Sequence, residues 1–309
     1  MLPWRTMIER PARNPPPSGF IAIPLKSEFR LSRDGIVRKP GRREVLGSRI
    51  ERVAYLALAG ICTVAASGPA LAQQTGASFV EDFDPTDGSR WYVSDGWANG
   101  EHQNCTWSRS QVAVTDGVLK LGFSRQPGGD RDYACGEIQT NKRFGYGTYE
   151  ARLKSVRGGG FNTAFFTYVG PAQKQPWDEI DFEILGKDTS KVQLNQYVSG
   201  KGGNEAFAPV EGGADKDFND YAFIWEKDRI RWYVNGELVH EETDPARVPS
   251  HPSKIYLSLW ASDSLTSWLG RFSEPGGQLT AEVERVSFTA LGDECQYPES
   301  IVCAEGMSQ

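Results

Sequence analysis

An all-β domain of sandwich or jelly-roll type is what this sequence predicts, on three observations. Short segments alternate apolar and polar residues with period two, Asp-Gly and Asn-Gly dipeptides separate pairs of them, and no stretch shows a 3.6-residue period with helix caps. Taken in order, Val112 to Val114 and Val118 to Phe123 flank Asp116-Gly117, which reads as a tight hairpin. Strands are then expected at Tyr146 to Val156, Gly160 to Val169, Trp177 to Leu185, Val192 to Val198 and Tyr221 to Trp225. A second hairpin joins Ile230 to Val234 with Glu237 to His240 through Asn235-Gly236, and Lys254 to Ala261 and Leu279 to Thr289 complete the set. With no linker and no internal repeat, residues 73–309 fit one domain.

The first 72 residues read differently. Residues 1–52 carry 12 Lys+Arg against 5 Asp+Glu, include Pro15-Pro16-Pro17, and have no sustained period, so a basic extension outside the fold is expected. Residues 53–72 hold an uncharged apolar run from Val53 to Ala66, then Pro69 and the small-residue site Ala70-Leu71-Ala72. That is the pattern of a signal peptide cleaved after Ala72, the apolar run being shorter than the ~20 residues a spanning helix needs. A leader this long exceeds the usual ~15–30 residues, so translation in the cell is expected to start further downstream. The net charge of −6 for the chain and +7 for residues 1–52 leave −13 for the remainder. Such a charge disfavours nucleic acid and anionic membranes as partners, and no stable membrane association is expected after cleavage.

Cysteine use agrees with export. Cys62 leaves with the leader, and the even set Cys105, Cys135, Cys295 and Cys303 permits three pairings, of which spacing favours Cys105 with Cys135 and Cys295 with Cys303. No cysteine pair has metal-ligand spacing, and His102, His240 and His251 are scattered, so no zinc site is expected. The polar stretch from Gly292 to Gln309 is expected to form a small disulfide-closed tail lying on the domain.

The most informative segment is Trp177-Asp178-Glu179-Ile180-Asp181-Phe182-Glu183. On an extended strand Glu179, Asp181 and Glu183 share one face while Ile180 and Phe182 point to the other. Three like charges in a row are costly unless they do chemistry. Glycosidic bond cleavage uses such a set: one carboxylate to attack the anomeric carbon, one carboxylic acid to protonate the leaving oxygen, and a neighbour that keeps their protonation states apart. The trio should titrate as a coupled set with Glu183 holding its proton longest.

This segment, extended through Ile184-Leu185-Gly186-Lys187-Asp188, resembles the active-site strand of glycoside hydrolase family 16, and within it the bacterial licheninases. The likeness runs from Gln74-Thr75-Gly76 through Asn104-Cys105-Thr106-Trp107, Tyr146-Gly147-Thr148-Tyr149-Glu150 and Phe165-Phe166-Thr167-Tyr168 to Trp268-Leu269-Gly270. It implies a concanavalin-like β-jelly roll, two curved antiparallel sheets with a substrate cleft on the concave face. It also implies that Glu179 is the nucleophile, Glu183 the acid/base and Asp181 the assisting group of a retaining double displacement. Retention requires carboxyl groups ~5–5.5 Å apart. Residues i and i+4 on a flat strand are ~13 Å apart, so the sheet must curve. Laminarinase-like members carry a one-residue bulge before the last glutamate; its absence here points to the licheninase branch.

For the cleft the resemblance implies Trp97, Asn99, Glu137, Phe166, Tyr168, Trp177, Asn195, Tyr197 and Trp260, aromatic faces for sugar rings and polar groups for hydroxyls. Two positions depart from the family pattern: its arginine two residues after the glutamate is Gln139, and its asparagine two before the tryptophan is Ser258. A closer likeness through Val192 to Glu205 is to rhizobial secreted endo-1,3-1,4-β-glycanases acting on succinoglycan, a polymer with acidic substituents. The function expected is therefore a secreted, monomeric endo-β-glycanase of β-1,3-1,4-type glucan or a succinoglycan-like exopolysaccharide, with no cofactor for catalysis. Family members also hold a structural calcium through backbone carbonyls and an acid in the last strand, near Glu284 here. A non-catalytic carbohydrate-binding jelly roll would use the same aromatics without needing Glu179 and Glu183 together. A transglycosylase would differ only in excluding water from the second step.

Overall fold

The computed structural model describes residues 75–126 and 130–304; the expected extension and signal peptide, residues 1–52 and 53–72, lie outside the described residues. Its two tightest hairpins form at the dipeptides that demand left-handed backbone. Asp116 and Gly117 have φ of 54° and 70°, Asn235 and Gly236 have 51° and 82°, and the flanking pairs are Thr115 with Val118 and Val234 with Glu237. This is the turn whose twist matches that of the strands it joins.

Sixteen strands are described: β1 Phe79–Glu81, β2 Trp91–Val93, β3 Cys105–Trp107, β4 Val112–Thr115, β5 Val118–Arg125, β6 Tyr133–Thr140, β7 Gly147–Lys154, β8 Phe161–Val169, β9 Asp178–Leu185, β10 Lys191–Tyr197, β11 Ala206–Pro209, β12 Asn219–Trp225, β13 Ile230–Val234, β14 Glu237–Glu242, β15 Lys254–Ala261 and β16 Leu279–Ala290. Each expected strand is present within a few residues of its expected ends. α-Helix is confined to two single turns, α1 Thr266–Leu269 and α2 Ile301–Ala304, among the described residues. The strands form a jelly roll of two layers, antiparallel except that β3 runs parallel to the first half of β6. One runs β11-β10-β9-β8-β15-β6 with β2 on its edge; the other runs β5-β16-β7-β12-β13-β14, with β4 on β5 and β1 on β16.

Five strands escaped the sequence reading, namely β1, β2, β3, β6 and β11, and β6 shows why. Its first half pairs with β5, Cys135 facing Phe123, and its second half pairs with β15, Gly136 facing Leu259. A strand that changes layer is buried on both sides and shows no alternation; here seven of eight residues are buried. Gly136 is required at the crossing, since a Cβ there would lie 2.5 Å from the Gln111 carbonyl. Cys105 of β3 and Cys135 of β6 are disulfide-bonded, Cα atoms 5.8 Å apart.

The core lies between the layers. Phe182 of β9 stacks on Phe165 of β8 (6.1 Å) and meets the edge of Tyr221 in β12 at 5.4 Å. Ile180, Phe182 and Ile184 are fully buried, so the strand that carries the acids also carries a row of the core. On the outer surface of the other layer lies the tail closed by Cys295–Cys303 (Cα–Cα 5.4 Å). There Ile301 joins Ala222, Ile224 and Tyr233 in a small cluster. Buried Glu150 accepts hydrogen bonds from Ser300 Oγ (2.8 Å), Ile301 N (3.0 Å) and Ser287 Oγ (3.2 Å), which fastens the tail.

Replacing Phe182 by alanine removes a side chain that spans the two layers and is expected to cost about 3–5 kcal/mol. Thermal unfolding followed by circular dichroism checks this; an unchanged midpoint would contradict the packing described.

Candidate active site

Alternation along β9 puts Glu179, Asp181 and Glu183 on the face opposite Ile180, Phe182 and Ile184. Both edges of the strand are paired without a register shift, Asp178 to Leu185 against β8 and Glu179 to Glu183 against β10, so the strand has no bulge. Register then sets the neighbours. Across the concave face one row is Tyr197, Glu179, Tyr168; the next is Asn195, Asp181, Phe166, Tyr256, Gln139; the third is Gln193, Glu183, Ala164, Ser258, Glu137.

Each acid is held by identifiable groups. Trp177 Nε1 donates to Glu179 Oε2 at 2.6 Å, and the Trp177 ring stacks on Tyr197 with centroids 4.7 Å apart. Close approach of the following loop keeps that stack in place, because a Cβ on Gly202 would lie 2.3 Å from the Tyr197 ring. Asn162 Nδ2 donates to Glu183 Oε1 (3.0 Å) and Gln193 Nε2 to Glu183 Oε2 (3.2 Å); Trp268 Nε1 fixes Gln193 in turn (2.9 Å). The residue opposite Glu183 is Ala164, too small to cover the carboxyl, which lets Asn162 reach it diagonally.

Burial dominates the electrostatics. Desolvation raises Glu179 to about 7, opposed by its hydrogen bonds from Trp177 and Asp181. Desolvation, then repulsion from Glu179, raises Glu183 to about 8. Asp181, only 3% exposed and between two carboxylates, is pushed well above the usual range by burial and then by Glu179 and Glu183. The proton was expected to reside longest on Glu183; the structure gives Asp181 a strong hold on one as well, because it is the most enclosed of the three.

The structure brings most of the expected cleft residues to this face. Phe166 stacks on Tyr256 (4.9 Å), Tyr168 meets the same ring edge-on (6.0 Å), and Trp260 packs against Trp268 (6.0 Å). Asn195 is buried with Nδ2 left without a hydrogen-bond partner beside the acid row. Glu137 is buried, takes a hydrogen bond from Ser94 Oγ at 2.6 Å, and is raised to about 8 by burial. Trp97 and Asn99 belong to the loop between β2 and β3, which packs on the Trp260 end through His102 (5.6 Å to the Trp260 ring); the Trp97 ring itself turns to Trp107. The sequence reading missed Asn162, Gln193 and Trp268 as partners of the acid row; pairing β9 with β10 around the turn that joins them would have placed Gln193 opposite Glu183.

Glu284 does not fit a calcium ligand. Its Oε2 accepts from Arg152 Nε at 2.8 Å, and Arg152 Nη1 reaches Asp220 at 2.8 Å, so a guanidinium already occupies the space between the carboxylates. No cluster of three or more metal-ligating side chains occurs among the described residues.

An unbulged acid strand on the concave sheet of a jelly roll, lined with aromatic rings, defines a glycoside hydrolase site. Residues 99–282 match glycosyl hydrolases family 16, and the chain belongs to that family. It is 63% identical over 228 residues to the endo-1,3-1,4-beta-glycanase ExoK of Rhizobium meliloti, covering 73% of this chain and 84% of that protein. It is 39% identical over 220 residues to the beta-glucanase of Bacillus amyloliquefaciens, covering 71% and 88%. Among solved structures, the Bacillus licheniformis beta-glucanase superposes with a TM-score of 0.66 at 38% identity, covering 70% of this chain and 99% of that one.

Substituting Asn162 by alanine withdraws a hydrogen bond that favours the ionised form of Glu183, so the Glu183 pKa should rise above about 8. Glu179→Gln removes the repelling charge and should lower it. Carboxyl-resolved NMR titration reads both shifts; a common direction for the two variants would refute the account.

Proposed function

We propose that the chain is an exported, monomeric, retaining endo-β-glycanase that hydrolyses β-1,3-1,4-type glucan or a succinoglycan-like exopolysaccharide. The observation that carries this reading is the row Glu179, Asp181, Glu183 on one face of β9, with the two glutamates half-buried and poised near neutrality at about 7 and about 8. In the first displacement the Glu179 carboxylate attacks the anomeric carbon while Glu183 gives its proton to the departing glycosidic oxygen. In the second, Glu183, now a base, takes a proton from water as the oxygen of that water displaces Glu179 from the same carbon, restoring the starting configuration. Asp181 holds a proton against Glu179 and moderates its charge. Trp177, Tyr168, Phe166, Tyr197 and Trp260 supply faces for sugar rings, with Asn195, Glu137, Trp97 and Asn99 completing the cleft. The 63% identity to a protein named for 1,3-1,4-β-glycanase activity supports this substrate class.

The mechanism needs Glu179 ionised and Glu183 protonated. Activity should therefore rise as pH climbs through about 7 and fall as it passes about 8, giving a bell-shaped kcat/KM profile. Glu179→Gln should abolish reducing-end release from lichenan while binding persists, and Glu183→Gln should lower kcat on the order of 10²–10⁴-fold. Retained turnover in Glu179→Gln would overturn the assignment. For export, N-terminal sequencing of the mature enzyme should begin at Gln73; an N-terminus upstream of residue 53 would sink the signal-peptide reading.

A further inference from the structure

Across the concave face, the row through Glu183 does not stop at Gln193. Gln193 of β10 pairs in register with Phe207 of β11, the last strand on that side of the layer. Alternation along β11 turns Ala208 into the core and Phe207 to the same face as Gln193 and Glu183. Two strand spacings of ~4.8 Å put Phe207 ~10 Å along the row from the strand that carries the acid. The Glu183 pKa, raised chiefly by desolvation and by Glu179, is raised further by the charge of Glu205, which borders this end of β11.

Single exposed apolar side chains are ordinary on protein surfaces. This one differs in place and in support. Phe207 is 54% exposed, the most exposed large apolar side chain among the described residues. Lys191 Nζ lies 5.1 Å from its ring centroid and is itself held by Asp188 Oδ2 at 3.0 Å, so a cation–π contact braces the ring. Addition of another strand at this edge is opposed by Pro209, which has no N–H to donate and ends a strand of only four residues. A braced ring at the open end of an acid row suits the apolar face of a sugar.

The two sides of β9 are unequally furnished. On one lie Phe166, Tyr168, Trp260 and Glu137; on the other come Tyr197 and then, one strand further out, Phe207. In a double displacement one fragment stays covalently bound while the other must leave before water enters. The richly lined side suits the fragment that stays, and the sparse side the fragment that departs.

We propose that Phe207 is a stacking platform on the leaving-group side of the cleft, binding a pyranose of the fragment released when Glu183 gives up its proton. This rests on the glycanase reading above and deepens it. Phe207 favours polymers, whose leaving fragment extends over β11, and it holds the acceptor when an oligosaccharide replaces water in the second displacement. In that step Glu183 takes the proton of a sugar hydroxyl as the hydroxyl oxygen bonds to the anomeric carbon and the Glu179 carboxylate leaves.

The test compares lichenan with the nitrophenyl β-glycoside of a mixed-linkage glucan trisaccharide, whose leaving group carries no sugar. Phe207→Ala should lose about three- to tenfold in kcat/KM on lichenan and stay within about twofold on the aryl glycoside. Phe207→Trp should hold lichenan activity within about twofold, whereas Phe207→Leu, apolar but without a flat face, should fall with the alanine variant. With the aryl glycoside as donor and cellobiose as acceptor, the ratio of transfer to hydrolysis should drop in Phe207→Ala. Equal losses on both substrates, or no loss on lichenan, would overturn the platform. So would a wild-type dimer in analytical ultracentrifugation that Phe207→Ala dissociates, since the ring would then serve a second copy of this chain; each of these results leaves the glycanase reading standing. A wild-type enzyme inert on both substrates would instead remove the glycanase reading, and the platform with it.

Discussion

A β-strand has two faces, and in this molecule one strand must satisfy opposite demands on them. β9 contributes Ile180, Phe182 and Ile184 to the interior and Glu179, Asp181 and Glu183 to the cleft. The apolar side ties the acids to the core of the fold, flanked by hydrogen-bonded neighbours on both edges. Moving the register by one residue would send three carboxylates inward and three large apolar groups into water, so the two faces fix each other.

From that placement the electrostatics follow. The carboxyls lie in a depression walled by Trp177, Tyr197, Phe166 and Tyr168, where loss of hydration outweighs every hydrogen bond they gain, and all three shift upward. Proximity then separates them: Glu179 has the indole N–H of Trp177 as a donor, Glu183 has two amides, and Asp181 sits between two like charges. The two glutamates are chemically the same residue, so the difference between them comes from their surroundings.

How much of this was legible in the sequence depended on whether a feature was local. The acid row needed only period two within seven residues, and the hairpins at Asp116-Gly117 and Asn235-Gly236 needed only residues that tolerate positive φ. β6 was hidden because it belongs to both layers and so lacks alternation, and because Gly136 and Cys135 are poor strand signals taken alone. Asn162 and Gln193 were hidden because their partners come from register between strands, which the chain specifies only once folded. The upward shift of Asp181 was not legible for a related reason: it depends on how completely neighbouring strands enclose that carboxyl.

Asp178 sits one residue from Glu179 and points to the other side. Its carboxylate accepts from the backbone of Ser199 (2.9 Å), Ser250 (3.0 Å) and His251 (3.2 Å), while the Gly200 N–H binds the Trp177 carbonyl (2.7 Å). The glycine-rich segment after β10 is thus moored at its root to the reactive strand. Any flap-like travel of that segment has to pivot beyond Gly202, whose backbone packs on the Tyr197 ring, which leaves the indole that donates to Glu179 stationary while the tip swings.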